Sequence, residues 1–246
     1  MLAKGSRFLP LAIAAGMIAF SIQGCSDSPS STGDDVTVTM KGELTGSAVT
    51  AALRKDESTT ILSGGGAEVD SLKVTRVRIL LKEVKMHRSS SDTTTGDNTV
   101  KTGPVMLTID SAGSRTFTSA TIPSGSYDKL KFEFHRFSGS VTAQYLNDTI
   151  YQDFVTDDRW TFIIDGFLFK NGVRTGFTYR SDATANLSLK FEPDITLAAG
   201  SAAVIVLSVN PAAVFKSGSA VLDPRDQKNE SDIDNAIKSA IKALKR

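Results

Sequence analysis

The chain carries two histidines and one cysteine, so few of its side chains could serve as metal ligands or catalytic nucleophiles. His87 and His135 each follow a predicted strand, and two histidines without a third ligand more often cap strand ends than bind a metal ion. There is no Gly-x-Ser-x-Gly nucleophile elbow, and residues 64–66 form a Gly-Gly-Gly run without the Lys-Ser/Thr of a phosphate loop. We therefore predict a non-enzymatic protein without a cofactor or metal ion.

Four aspartates crowd one region of the sequence: Asp153, Asp157, Asp158 and Asp165. Clustered carboxylates can hold Ca²⁺. A Ca²⁺ loop, however, needs alternating oxygen ligands and a glycine turn, and residues 153–158 lack both. The pattern is more typical of solvated turn residues.

Aromatic residues are concentrated in one stretch, because nine of the eighteen lie between Tyr145 and Tyr179. Two interpretations stay open. Large aromatic side chains dominate protein cores, so the stretch can contain a central strand buried on both faces. Alternatively, an aromatic platform on a β-sandwich binds sugar rings in many domains. The candidate platform residues are Trp160, Phe162, Tyr151 and Tyr179.

The overall composition is that of an ordinary globular protein, with 40% hydrophobic and 22% charged residues. The 28 basic and 27 acidic residues give a net charge of +1, which argues against a nucleic-acid binder and against a basic peripheral membrane protein. A single cysteine excludes a disulfide framework and a multi-cysteine zinc site.

The N-terminus has the pattern of a bacterial export signal. Lys4 and Arg7 precede an uncharged apolar run over residues 8–20. That run is shorter than the roughly 20 residues of a membrane span, so residues 1–24 are predicted to be a signal peptide.

The signal ends in Ile22-Gln23-Gly24-Cys25, and this motif resembles the lipobox of bacterial lipoproteins. The resemblance implies a diacylglyceryl group on the Cys25 thiol, cleavage between Gly24 and Cys25, and acylation of the new amino group. Several acyl chains would anchor the protein stably in a membrane. By the sorting rules of enteric bacteria, Ser26 rather than Asp after the cysteine favours the outer membrane. The alternative is a secretory signal followed by a free thiol.

Residues 25–35 are predicted to be a lipidated flexible tether. After Cys25 this segment has no apolar side chain, and ten such residues span about 16–19 Å root-mean-square. The tether would therefore be long enough to lift a folded domain off the lipid headgroups.

Short alternating segments with turn residues between them indicate nine or ten strands over residues 36–222. The apolar alternation of residues 72–86 changes phase twice, which predicts bulges in one long strand. Asn171-Gly172 predicts a type I′ hairpin, and Asn147-Asp148 a second hairpin. We expect a mainly β protein, an antiparallel Ig-like or prealbumin-like sandwich.

One helix is predicted near the end of the chain, over residues 232–245. It would dock the 223–246 segment on the sandwich through an apolar stripe of Ile233, Ile237, Ile241 and Leu244. Ser231 would cap its N-terminus.

The order of several segments in the mature chain resembles a domain-of-unknown-function family found in bacterial lipoproteins. The segments are VTRVRILLKEVKM at 74–86, GPVMLTID at 103–110, TIPSGSYDKLKF at 121–132 and LAAGSAAVIVLSVNPAAVF at 197–215. The resemblance implies a prealbumin-like or carbohydrate-binding-like sandwich, and it assigns no activity to any residue.

Taken together, the sequence predicts a lipid-anchored envelope lipoprotein on the outer membrane, facing the periplasm or the cell surface. Its domain would be a ligand-binding module, for example for glycan, or an adhesion module. The alternative is a structural or interaction subunit of an envelope assembly without a small-molecule ligand. Exposure of Trp160 and its neighbours would favour the first, and an exposed apolar patch without a pocket the second.

Overall fold

Apolar and polar side chains alternate along most of the chain, and this alternation produces strands. The computed structural model describes residues 35–45, 60–63, 69–90, 99–110 and 115–245. The predicted signal peptide, the Gly24–Cys25 cleavage site and residues 25–34 of the tether lie outside these residues. The described strands are β1 (Asp35–Leu44), β2 (Thr60–Ser63), β3 (Ser71–Arg88), β4 (Thr99–Thr102), β5 (Val105–Asp110), β6 (Arg115–Pro123), β7 (Gly125–Phe134), β8 (Phe162–Lys170), β9 (Val173–Ser181), β10 (Ala185–Leu197), β11 (Ala202–Val209), β12 (Lys216–Ser217), β13 (Ala220–Val221) and β14 (Ile241–Lys245). The helices are α1 (Pro211–Phe215) and α2 (Glu230–Ala240).

Two sheets carry the fold, which confirms the predicted mainly β, sandwich-like class. One sheet has the order β14-β11-β1-β6, and the other has the order β10-β7-β3-β8-β9, with β2, β4 and β5 also paired to β3. The described pairings are antiparallel except for β1 with β11, which run parallel because a long stretch of chain separates them.

The core lies between the inner faces of the two sheets. Val38 and Met40 of β1 and Ile205 and Leu207 of β11 are buried in it. The sheets approach so closely at Gly42 that a Cβ there would lie 2.4 Å from the Leu107 side chain of β5. Glycine at this position therefore follows from the packing of one sheet on the other.

Strand β3 confirms the predicted long bulged strand. Its pairing register shifts between Val74 and Arg76 against β8 and between Leu81 and Glu83 against β7. Both shifts coincide with the changes of apolar phase in the sequence.

Of the two predicted hairpins, one is confirmed and one is wrong. Asn171 and Gly172 have φ angles of 52° and 76°, as a type I′ turn between β8 and β9 requires. The flanks of Asn147-Asp148 do not form strands. They contain two 3₁₀ helices, Thr142–Tyr145 and Gln152–Phe154, because their apolar side chains pack onto the outside of a sheet.

The C-terminal helix is shorter than predicted. Helix α2 ends at Ala240, and the following residues form β14, which pairs with the edge of β11. Ile233 and Ile237 are buried in the main core, whereas Leu244 is 49% exposed and belongs to no helical stripe. The Ser231 cap is also wrong, because this residue lies inside the helix and the N-cap is Asn229.

Candidate functional site

The predicted aromatic platform does not exist as one surface. Phe162 and Tyr179 are only 1% and 6% exposed, and both belong to the main core. The Phe162 ring stacks on Phe134 at 6.0 Å, and the Tyr179 ring meets Phe215 edge-on at 6.2 Å. The prediction is therefore wrong for these two residues, because the inward face of β8 and β9 carries them.

Tyr151 and Trp160 lie on the opposite, outer face of the same sheet. They belong to the connection between β7 and β8, residues 135–161, which we call the cap. Leu80 of β3 and Ile163 of β8 point outward under the cap and are fully buried by it. The structure thus agrees with the first of the two interpretations of the aromatic-rich stretch, a central strand buried on both faces.

The cap has a small core of its own. Phe137, Phe154 and Val155 are buried with Leu80 and Ile163. Packed against them are Met106, Val141, Tyr145, Tyr151 and Trp160.

Three aromatic rings of the cap contact one another. Phe137 stacks on Tyr145 with ring centroids 4.5 Å apart, and the ring of Tyr151 lies 5.1 Å from that of Tyr145. The Tyr151 hydroxyl donates a hydrogen bond to Pro104 O at 2.9 Å, and burial raises the pKa of this hydroxyl. These rings hold the cap together, so their faces are already occupied.

An ion pair fastens the cap to the sheet. Arg78 of β3 donates to Asp153 at 2.5 Å, and its guanidinium lies 5.8 Å from the Phe154 ring. Asp165 pairs with Arg76 at 2.8 Å, while Asp157 and Asp158 are exposed. Two of the four clustered aspartates are thus ion-pair partners of arginines. Within the described ranges, no cluster of three or more His, Cys, Asp or Glu side chains is arranged to hold a metal ion.

The tip of the cap, residues 145–151, exposes two large aliphatic side chains. Leu146 is 56% exposed and Ile150 is 57% exposed, and each lies next to one of the inward-facing tyrosines. Asp148 closes the turn between them: its carboxylate accepts a hydrogen bond from Ile150 N at 2.8 Å. This turn therefore directs the side chains of Tyr145 and Tyr151 inward and leaves those of Leu146 and Ile150 exposed to solvent.

A second feature is an open groove of about 670 Å³ at the end of β7, beside the first turns of α2. Arg136 crosses one side and donates to Asp182 at 2.7 Å. Other polar lining groups are His135, Gln227, Asp234, Asn235 and Lys238. The groove thus offers both hydrogen-bond donors and acceptors, as a hydrophilic ligand requires.

Below the groove, Tyr179 links the sheet to α2. Its hydroxyl donates to the Asp234 carboxylate at 2.7 Å and lies 3.2 Å from Glu230 O. Burial, together with the Asp234 charge, raises the pKa of Tyr179. This buried hydroxyl is a structural contact and is not part of the groove lining.

The predicted role of the histidines as strand-end caps is wrong for one of them. His87 lies inside β3, where its Nδ1 is 3.2 Å from Thr99 Oγ1 of β4. His135 directly follows β7, and its Nδ1 is 2.7 Å from Arg136 O. The register between β3 and β4, which the sequence does not reveal, decides the position of His87.

A third feature is an apolar cavity of about 210 Å³ between the two sheets. Its wall includes the two methionines Met40 and Met86, with Val38, Val84, Ile122 and Leu130. The edge strand β4 borders the opening of this cavity. Methionine is a flexible side chain that fills irregular spaces in cores, so the cavity needs no ligand to explain it.

Sequence reasoning missed the aliphatic pair at the cap tip and the groove. One available signal was the near-symmetric run Tyr-Leu-Asn-Asp-Thr-Ile-Tyr at 145–151, in which two apolar pairs flank a turn. The groove joins β7, the β9–β10 turn and α2, so no local pattern could reveal it.

Comparisons of the chain with family models, with curated proteins and with solved structures give no match. Among the residues that the structure describes, no helix is both long enough and apolar enough to cross a membrane.

Proposed function

We propose that this chain is a lipid-anchored, non-enzymatic lipoprotein of the bacterial outer membrane that binds an envelope protein through the cap tip. The anchor rests on the lipobox resemblance at Cys25. The recognition role rests on one observation: the cap is a long connection with its own core that exposes Leu146 and Ile150. Long ordered connections of this kind often carry binding residues on a rigid scaffold.

The chemistry of the tip favours a protein partner over a sugar. A sugar platform needs free aromatic faces, and the rings of Tyr145 and Tyr151 are engaged with Phe137 and with each other. Two exposed aliphatic side chains on a firmly held loop instead resemble the apolar centre of a small protein interface.

Site-specific photocrosslinking in living cells tests this role. A photoreactive phenylalanine analogue at position 146 or 150 should yield one discrete adduct with an envelope protein. Val173 provides the matched control, because it is also an exposed aliphatic residue at a turn, 63% exposed, but lies at the β8–β9 hairpin. Equal adducts at all three positions, or none at 146 and 150, would contradict the proposal.

The groove supports a second candidate function, the binding of a hydrophilic ligand such as an envelope glycan. Its volume of about 670 Å³ and its mixed polar lining carry this alternative. Soluble fragments of the host's envelope polysaccharide should then raise the thermal midpoint of the protein. The double variant Gln227→Ala/Asn235→Ala should lose that shift, since both exposed amides line the groove. If wild type shows no shift, this alternative is rejected and the cap proposal is unaffected.

A further inference from the structure

Five lysines stand on the outer face of the eight-stranded sheet, beside the area that the cap covers. They lie on four neighbouring strands: Lys101 on β4, Lys85 on β3, Lys129 and Lys131 on β7, and Lys190 on β10. We call this surface the lysine face. The lysine face begins after the β3 bulge between Leu81 and Glu83. Beyond this bulge, the outward positions of β3 carry charged side chains.

The registers place like charges directly opposite one another. Lys85 pairs with Lys101 on one side and with Lys131 on the other, and Lys129 pairs with Lys190. Directly opposed like charges destabilise a sheet. Two of these pairs contain Lys85, which Glu83 and Glu133 contact. Among the described residues the Lys129–Lys190 pair has no such carboxylate, and an anionic partner would offset its repulsion.

The carboxylates on this face do not neutralise the lysines. Glu83 and Glu133 both contact Lys85, at 2.8 and 2.5 Å, and this lysine lowers the pKa of Glu133. Lys101 lies 3.9 Å from Glu83. The part of the chain that the structure describes supplies no ion-pair partner to Lys129, Lys131 or Lys190.

His87 lies in the same field, among Lys129, Lys131, Lys85 and the carboxylate of Asp128. Burial lowers the pKa of His87, and the charges of Lys129 and Lys131 lower it further, although Asp128 acts in the opposite direction. Lys129 and Lys131 thus both act on His87 as positive charges.

The position of the lysine face on the domain indicates which partner it binds. Strand β1 begins at Asp35, opposite Pro123, and β7 begins two residues later at Gly125. Lys129 is the fifth of the ten residues of β7, and it is nearer than Glu133 to the end of the strand at which β1 begins. Cys25 precedes Asp35 by ten residues in the sequence.

We propose that the lysine face binds the phosphate headgroups of anionic lipids in the membrane that carries the anchor. This inference rests on the proposed lipid anchor at Cys25. The five lysines are spread over four neighbouring strands, and this width suits an array of phosphates better than a single small ligand. A lysine near an anionic membrane surface strengthens binding roughly fivefold, so three lysines contribute on the order of 100-fold.

Lysine labelling of the intact lipidated protein tests the proposal. The protein is reconstituted into vesicles of phosphatidylcholine alone or of phosphatidylcholine with phosphatidylglycerol, and a water-soluble acylating reagent is followed by mass spectrometry. We expect Lys129, Lys131 and Lys190 to react at least about fivefold more slowly in the anionic vesicles at about 0.05 M salt. This protection should disappear at about 0.5 M salt, where screening is strong.

Three exposed lysines elsewhere on the domain are the internal controls: Lys170, Lys238 and Lys242. They should react equally in both kinds of vesicle. Equal rates for the lysine face in both vesicles would overturn the proposal. It would also be overturned if a soluble polyanion protected this face and the anionic vesicles did not, since the site would then be one for a polymer.

A failure of the anchor gives a different result from a failure of the lysine face. If the purified chain carries no acyl group, the proposed anchor is wrong. Cosedimentation of that free protein with the same vesicles then tests the lysine face. Salt-sensitive binding to anionic vesicles that is about 100-fold weaker in Lys129→Gln/Lys131→Gln/Lys190→Gln supports the proposal. No binding of the wild-type protein refutes it.

Discussion

Tyr179 joins the sheet to α2 through a single buried hydroxyl. Tyr179→Phe removes its hydrogen bond to Asp234 and leaves that carboxylate without this donor. We expect the free energy of unfolding at pH 7 to fall by about 1–2 kcal/mol in urea titrations. Tyr145→Phe is the control, because its hydroxyl makes no hydrogen bond to another described residue. An equal loss in both variants would show that the hydrogen bond from Tyr179 to Asp234 contributes nothing beyond the general effect of removing a tyrosine hydroxyl.

The raised pKa of Tyr179 also predicts the direction of a pH effect. The folded state resists ionisation of this hydroxyl, while the unfolded chain ionises near the ordinary tyrosine pKa of 10.0. The stability that the neutral hydroxyl contributes is complete below pH 10 and is lost as the pH rises above it. The difference in unfolding free energy between wild type and Tyr179→Phe should therefore shrink at about pH 11. A constant difference would mean that the hydroxyl ionises equally in both states.

At the level of elements, α2 and β14 divide a segment that the sequence presents as one helix. Ile237 is 2% exposed, whereas Leu244 is 49% exposed. Ile237→Asp should cost about 3–5 kcal/mol of unfolding free energy, because it loses a buried side chain and buries a charge. Leu244→Asp should change it by less than about 0.5 kcal/mol. Similar losses in the two variants would instead support a helix through Leu244.

The end of α2 shows where sequence reasoning stops. Residues 241–245, Ile-Lys-Ala-Leu-Lys, have good helix propensity, and their apolar spacing suits a helix as well as a strand. The free edge of β11 decides in favour of a strand, and that edge is made by residues far away in the sequence. In β3, by contrast, one face is buried, so apolar residues recur at every second position. Both bulges interrupt this alternation and could therefore be recognised in the sequence.

The candidate site was also predictable only in part, because residues far away in the sequence decide where each of its side chains lies. The concentration of aromatics between Tyr145 and Tyr179 was visible, but the face on which each ring lies was not. Phe162 and Ile163 are neighbours that belong to different cores, one between the sheets and one under the cap. The sequence gives no sign that residues 135–161 fold back over β3 and β8.

The attachment of the cap to the sheet can be tested through Arg78. Arg78→Met removes the contact with Asp153, which is 53% exposed and can be solvated instead. We expect proteolytic cleavage within residues 135–161 to become about tenfold faster, with a loss of only about 1–2 kcal/mol in global stability. Arg174→Met is the control, since Arg174 lies 3.6 Å over the Phe167 ring and away from the cap. Unchanged cleavage in Arg78→Met would show that apolar packing alone holds the cap.

For the whole molecule, stability should come from burial alone. The sole cysteine is Cys25, so no intrachain disulfide can form. Thermal midpoints with and without a chelator or a reductant should agree within about 2 °C for a chain of this size. A larger drop with chelator would point to a metal ion and would reopen the interpretation of the aspartates around Asp153 and Asp158.

The arrangement of surfaces is also a property of the whole molecule. The groove lies at the end of β7, and the chain enters the sandwich near the start of that strand. The groove and the start of β1 therefore lie toward opposite ends of β7. The lysine-face proposal depends on the anchor at Cys25, whereas ligand binding in the groove does not.

Membrane fractionation combined with intact mass measurement tests the lipid anchor at Cys25. Wild-type protein should be found in the outer-membrane fraction, with Cys25 as its first residue and the mass of a diacylglyceryl group and a fatty acyl chain added. Cys25→Ser should remain an uncleaved precursor or be released into the soluble periplasmic or secreted fraction. Wild-type protein that is processed at another residue, or that carries no acyl group, would contradict the account.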